Sequence, residues 1–363
     1  MGGPFCRDLH ALESFRPFMN PTTKTPDSAP PQRILLVRLS HLGDACHGLA
    51  VYHAVRDRFP AAELWWAIQP EFAGLLKNLP QLAGVVHFDR RGGWRAWPRI
   101  RRAMRSVGFD WAIDAQGNWK SALVTHQSGA RYRLGMAPKD WREPSAARCM
   151  NHWAAQATGP HAMHRMQALG AAIGYQGPVK YHLPLTAAEH ATGSALLREA
   201  LNGQSAAGGR ILHLATLGDP RSWPAECFLS VARDLAARGC PTLLLSGPSE
   251  QAQGERLRQA AGQVANLHHV VGQRGLRELA SLFANAADQG MRLLACDSGP
   301  SHVAAAVGLP VDLLAGPTDP SRTGPWPYGP SPPGHRTLWM GPNKPLAQLE
   351  PKRVLAWLLE AGR

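Results

Sequence analysis

Four short stretches carry residue types able to do chemistry. In CDSGPSHVAAAVGLP (Cys296–Pro310) an acid, two serines, a glycine and a histidine separate an apolar run (Met291–Ala295) from an alanine-rich one. A hydrolase nucleophile, a phosphate cradle and an ordinary helix cap all use this mix. The hydrolase reading fares poorly, because there is no G-x-S-x-G elbow and neither Ser298 nor Ser301 has an evident base partner. For the cradle, Asp297 would end a strand, Ser298 and Gly299 would make the turn, and Ser301 would cap the following helix. A helix N-terminus offers free N–H groups and a positive dipole end, which suit a phosphate. After the next apolar run, GPTDP (316–320) would aim a second glycine- and hydroxyl-bearing loop at the same crevice.

The second stretch is SHLGD (40–44), where Gly43 permits a tight turn and Asp44 falls at a helix start. Asp44 could simply cap that helix. It could also stand at the mouth of a cleft and accept a proton from a substrate hydroxyl. G-x-G-x-x-G is missing here, which weakens a dinucleotide reading. The third stretch, HLATLGDPRSWP (213–224), offers the Thr216 hydroxyl and the Arg221 cation, with Pro224 suited to the first helical position. The fourth, RRGGWRAWPRIRRAMR (90–105), holds seven arginines and no acid, with Trp94 and Trp97 interleaved. A solvated helix face is the ordinary explanation of a charge run, but such a face normally carries both signs. The composition suits a polyanionic ligand or an anionic membrane surface. Nucleic acid would attract the same pattern, yet no nucleic-acid-binding motif is visible.

These stretches need elements to position them. RILLVRL (33–39), ELWWAI (63–68), VVHFD (85–89), DWAIDA (110–115) and RYRLGM (131–136) read as strands. A second series follows: RILHLA (210–215), PTLLLSG (241–247), NLHHVV (266–271), RLLACD (292–297) and PVDLLAG (310–316). Helical stretches separate them, among them 45–59, 225–239 and 276–287. Alternation twice over predicts an α/β protein with two doubly wound parallel sheets. In such sheets ligands bind beyond the carboxyl ends of strands, which is where three of the four clusters fall and where the basic run begins. The expected organisation is a flexible leader (1–31), a first domain (32–185), a linker holding a helix and a flexible tail (186–208), a second domain (209–345) and a C-terminal helix (346–363).

The bulk numbers agree. A chain of 363 residues, 44% hydrophobic and 18% charged, has room for two cores. Its 39 Lys and Arg against 26 Asp and Glu give a net charge of +13, a field that draws anions. The six cysteines are scattered without a C-x-x-C pair, which suggests neither a zinc site nor a disulfide framework and fits a reducing cytoplasm. No run approaches the roughly 20 apolar residues of a membrane span, and the N-terminus has no apolar signal core.

The order of motifs resembles glycosyltransferase family 9, the ADP-heptose:lipopolysaccharide heptosyltransferases, and looks most like its heptosyltransferase I branch. The carrying residues are SHLGD (40–44), RR…WRAW (90–97), DAQGNWKSA (114–122), GM…REP (135–144), SWP (222–224), DSGPSH (297–302) and GPTDP (316–320). The resemblance implies a GT-B architecture, two Rossmann-like domains facing a central cleft, with acceptor bound by the first and donor mostly by the second. It implies inverting, metal-independent transfer of heptose from ADP-L-glycero-D-manno-heptose to Kdo of the lipid A–inner core precursor, without a cofactor. The enzyme would work in the cytoplasm, peripheral to the inner face of the inner membrane and in contact with its anionic surface; nucleic acid is not an expected partner. By matching position, Asp44 is the expected general base. Thr216, Arg221, Asp297, Ser298, Gly299, His302, Gly316, Thr318 and Asp319 are expected to hold the donor. Arg90, Arg91, Arg95, Lys120 and Arg142 are expected to meet acceptor phosphates and carboxylates. Three positions depart from the family pattern: His41 replaces a common small hydroxyl residue, Ser298 a threonine and Arg221 a lysine. The rival readings are a GT-B transferase for another nucleotide sugar or a later core position, and a non-catalytic anion-binding protein to which Asp44 would not matter.

Overall fold

The structure, a computed structural model, describes residues 29–89, 97–214, 219–272, 275–327 and 334–360. Its strands form two six-stranded sheets. The first holds β1 (Arg33–Val37), β2 (Glu63–Ile68), β3 (Leu82–His87), β4 (Trp111–Asp114), β5 (Tyr132–Gly135) and β6 (His152–Trp153). The second holds β7 (Arg210–His213), β8 (Thr242–Leu245), β9 (Leu267–Val270), β10 (Arg292–Cys296), β11 (Val311–Ala315) and β12 (Arg336–Trp339). Around the first lie α1 (Leu42–Arg58), α2 (Pro70–Ala73), α3 (Trp97–Val107), α4 (Trp119–Gln127) and α5 (Ala162–Ala172); α6 (Ala187–Ala200) follows. The second half adds α7 (Ala225–Ala237), α8 (Gln251–Ala261), α9 (Leu276–Asp288), α10 (Gly299–Ala306), α11 (Pro320–Thr323) and α12 (Pro351–Glu360).

Both sheets have the same spatial order, β3-β2-β1-β4-β5-β6 and, counted from the matching edge, β9-β8-β7-β10-β11-β12. Every neighbouring pair is parallel. Parallel strands covered on both faces must be apolar throughout, which is why the central ones read as unbroken runs. Ile34, Leu35, Leu36 and Val37 are fully buried, as are Leu293, Leu294 and Ala295. Two edge strands, β6 and β12, carry no such run. In β12 a buried carboxylate does the anchoring: Arg336 Nε and Arg292 Nη2 each donate to Asp312 Oδ1 at 2.7 Å.

The segment expected to be a flexible tail is instead tied down. Leu201 and Ala206 are buried, and the Gly208 N–H donates to the Gln289 carbonyl at 3.2 Å. The preceding α6 packs on α9, and Gly193 lets it approach the Ser281 carbonyl more closely than any side chain would permit. Arg277 on α9 fastens this contact to the first half. It donates to Glu189 on α6 (Nη2–Oε2 2.6 Å, Nε–Oε1 2.8 Å), to the Pro184 carbonyl (2.7 Å) and to the Leu75 carbonyl (3.4 Å). Asn78 completes the junction with a 3.1 Å bond to Glu189, whose carboxyl is drawn down to about 2, chiefly by the Arg277 hydrogen bond.

Candidate active site

The carboxyl ends of both sheets open on one cleft of about 970 Å³. In each sheet the order of strand addition reverses beside the first strand, between β1 and β4 and between β7 and β10, and both switch points contribute to the walls. The two halves meet where α1 and α10 begin. A Cβ on Gly43 would lie 2.6 Å from His302 Cδ2, and one on Gly299 would lie 2.7 Å from Leu42 Cβ. Gly43 therefore serves close approach and does not make a turn: it is the second residue of α1, which begins at Leu42, three positions earlier than the expected start at residue 45. The sharp backbone bend falls on His41, at φ 62° and ψ 139°.

Asp44 lies in the first turn of α1, with its side chain 30% exposed, and does not cap the helix. Arg38, buried at the end of β1, donates from Nη2 to Asp44 Oδ1 at 2.7 Å and from Nε to the Asp44 carbonyl at 2.9 Å. Its third donor is taken by the Ala115 carbonyl. Asp44 Oδ2 is left with looser neighbours, Gln116 Nε2 at 3.3 Å and His41 Nδ1 at 3.6 Å. Burial alone would raise the Asp44 carboxyl, but Arg38, His41 and Gln116 together outweigh it and hold the group far below the usual carboxylate range. The carboxylate is thus ionised, gripped through one oxygen and open through the other.

Gln116 is positioned by a buried turn at the end of β4. Asp114 Oδ1 accepts the N–H groups of Gln116 and Gly117, both at 2.9 Å, and Gly117 adopts φ 77°. Burial raises the Asp114 carboxyl to about 6 against the pull of those N–H groups. The Gln116 side chain also accepts from Leu39 and Ser40 N–H, clamping the SHLGD loop from the far side. The Gly117 carbonyl receives the Arg142 N–H at 3.0 Å, which brings the exposed REP segment within electrostatic reach of His41.

On the opposite wall, Asp297 ends β10 and is oriented by His302 Nε2 at 3.6 Å and by the Thr318 hydroxyl at 3.4 Å. Ser298 and Gly299 line the cleft at the head of α10. Ser301 does not cap this helix; it lies inside the first turn, its hydroxyl and N–H both donating to the Ser298 carbonyl. Pro300 has no N–H, so the free N–H groups that this helix end could offer an anion are those of Ser298 and Gly299. Arg221 lines the cleft with its fork on Asp219 (Nη2–Oδ2 2.5 Å, Nε–Oδ1 3.0 Å), and Pro224 is the residue before α7, not its first.

Several expected site residues stand apart from this constellation. Gly316 packs against Leu346, Lys344 and Pro220, and Asp319 caps α11 through the Ser321 N–H at 2.9 Å; neither lines the cleft. Lys120 is exposed on the first turn of α4, and Arg142 is exposed beside the cleft. Thr216, Arg90, Arg91 and Arg95 lie outside the described residues.

Three contributors were missed at the sequence level. Arg38 reads there as a charge near the end of a strand, and Gln116 as part of a motif without a role. His47 follows Asp44 by one helical turn, the spacing that puts both on one face. It is fully enclosed, edge-on to His302 at 5.0 Å between ring centres, and burial holds it neutral.

Comparison with known proteins identifies the family and the fold. The family model for glycosyltransferase family 9 (heptosyltransferase) matches residues 97–333. Lipopolysaccharide heptosyltransferase 1 of Pseudomonas aeruginosa is 29% identical over 302 residues, 80% of this chain and 81% of that protein. Lipooligosaccharide heptosyltransferase 2 of Haemophilus influenzae is 24% identical over 305 residues, 80% of this chain and 85% of that protein. Among solved structures, the Escherichia coli heptosyltransferase WaaC with ADP-2-deoxy-2-fluoro heptose superposes with a TM-score of 0.70 at 26% identity, covering 91% of this chain and 99% of that one. With two doubly wound sheets on a shared cleft and a family match across most of its length, the chain belongs to glycosyltransferase family 9 and is a GT-B transferase.

Proposed function

We propose that this protein is the first heptosyltransferase of lipopolysaccharide core assembly, moving heptose from ADP-L-glycero-D-manno-heptose to Kdo of the lipid A–inner core precursor. The observation that carries the reading is the pairing across one cleft of an ionised, half-open carboxylate, Asp44, with the head of α10. An inverting transfer needs those two surfaces. As the Kdo hydroxyl attacks the anomeric carbon, its O–H bond breaks toward Asp44 Oδ2 and ADP leaves with the sugar–phosphate electron pair. A carboxylate so far depressed is a weak base toward a neutral alcohol. It suffices once the attacking oxygen has begun to bond to a cationic sugar carbon, because that oxygen is then strongly acidic. Asp44 in this role takes its proton late. The charge growing on ADP would be met by the N–H end of α10 and by Arg221 once it leaves Asp219. Donor-side support comes from the solved relative bound to an ADP-heptose analogue.

The lipid-anchored acceptor requires approach to a membrane surface. Among the described residues no helix is long and apolar enough to cross one. The exposed arginines of α3 (Arg99, Arg101, Arg102 and Arg105), with Ile100 and Met104 turned inward and no acid on the helix, supply a face for anionic headgroups. The test is incubation with ADP-heptose and Kdo-bearing lipid A precursor, with mass detection of product. One added heptose on the unheptosylated acceptor is the expected result. Transfer only to an acceptor already carrying heptose would make this a later-core enzyme, and no transfer from ADP-heptose with turnover of another nucleotide sugar would replace the donor.

A further inference from the structure

His41 combines two properties that rarely meet. Its backbone occupies a positive-φ, extended region that only glycine enters without strain. Yet no packing compels the side chain, which is 77% exposed. What the strained bend achieves is placement. Nδ1 lies 3.6 Å from Asp44 Oδ2, the oxygen left open when Arg38 takes Oδ1, while most of the ring stands in solvent.

We propose that His41 is a proton relay acting through Asp44: the proton taken from the acceptor hydroxyl passes from Asp44 Oδ2 to His41 Nδ1 and leaves from Nε2 to water. This rests on Asp44 being the base. The atoms balance. The acceptor O–H breaks as Oδ2–H forms; Oδ2–H then breaks as Nδ1–H forms; Nε2–H is lost to solvent, and exchange with water restores the starting tautomer. Arg38 favours the second step, because a carboxyl held so low gives up a proton readily once it has one. The groups facing His41 are Asp44 on α1, Arg142 in the loop after β5 and Arg221 in the loop after β7. The nearby Asp44 carboxylate lifts the imidazole above its ordinary 6.5, against partial desolvation and the two arginines. The relay needs a neutral ring, so turnover should fall as pH drops through that raised value. Asp44 itself, far lower, contributes no such limb.

The test is His41→Gly in the full-length chain, assayed with ADP-heptose and the Kdo acceptor. Expected are a kcat about tenfold lower, an unchanged acceptor KM, loss of the near-neutral acidic limb, recovery in imidazole buffer and a higher Tm from relieved strain. His41→Asn, which leaves the backbone strain in place but relays no proton, should lose kcat in the same way without the gain in Tm. An unchanged kcat with raised acceptor KM would overturn the relay in favour of an anion contact. A kcat loss that imidazole does not repair, with the limb intact, would reduce His41 to a structural role. Asp44→Asn run in parallel separates the two readings: full turnover there would remove the base and the relay together, whereas a dead Asp44→Asn beside a fully active His41→Gly would remove the relay alone.

Discussion

The two halves of the molecule share a strand order and a cleft, and use them in opposite ways. Beside β1 the reversal point is filled with side chains: Arg38 holds Asp44, Gln116 braces the loop, and Asp114 braces Gln116 from a fully buried site. Beside β7 and β10 the reversal point is built from backbone, a helix N-terminus with a serine and a glycine at its mouth, and its acid is fixed by His302 and Thr318. On the function proposed above, one wall would take a proton and the other would meet an anion. Topology decides where a ligand can lie, and the residues following each strand decide what is done to it.

That contrast can be broken at its strongest point first. Asp44→Asn keeps the shape of the first wall and removes its carboxylate; if that group is the base, transfer should fall about 10²- to 10⁴-fold while ADP titration is unaltered. A raised donor KM at normal turnover would move Asp44 to the binding side and erase the division of labour. Next comes the contact joining the walls. Gly43→Ala drives a methyl into the His302 ring, which is buried beside Asp297, and should cost about 1–3 kcal/mol of stability, read as a lower Tm, together with weaker ADP binding. Normal ADP affinity in a folded variant would mean that the second wall is organised without the first. The smallest effect is expected at Arg221→Ala. Removing a cation from the anion side should weaken ADP binding about tenfold, since the guanidinium is exposed and already has a carboxylate partner. Unchanged ADP affinity by calorimetry would confine the anion seat to α10.

How much of this was legible in the sequence follows from what holds each part. Ten of the strands were legible from their apolar content and the turns that follow them; β6 and β12 were not. β12 is bound by Arg336 and a buried acid twenty-four residues away, and β6 leans on the ring of Tyr132, 3.9 Å from that of His152. Neither cue has a local pattern. Asp44 could be picked out because it follows a strand, whereas Arg38 could not. Its partners at Ala115 and Asp44 are brought together by the register of β1 against β4, in which Val37 faces Asp114. Gly43 and Gly299 were noticed for turns they do not make. Their actual reason, a neighbour from the other half of the chain, exists only in three dimensions. Of the GPTDP loop, Thr318 reaches the site by steadying Asp297, whereas Gly316 and Asp319 do not line the cleft.

The fork between Asp219 and Arg221 has a consequence for a molecule that carries a net charge of +13. Its cleft arrives with a counterion already tethered in place. An inorganic phosphate or a stray nucleotide wandering in finds that cation occupied, and gains only the difference between its own grip and that of the resident carboxylate. If Arg221 serves the donor as proposed, ligands bearing a single weak anionic group would gain little there, and the exchange would favour those with charge and reach enough to displace Asp219 and use the helix end together.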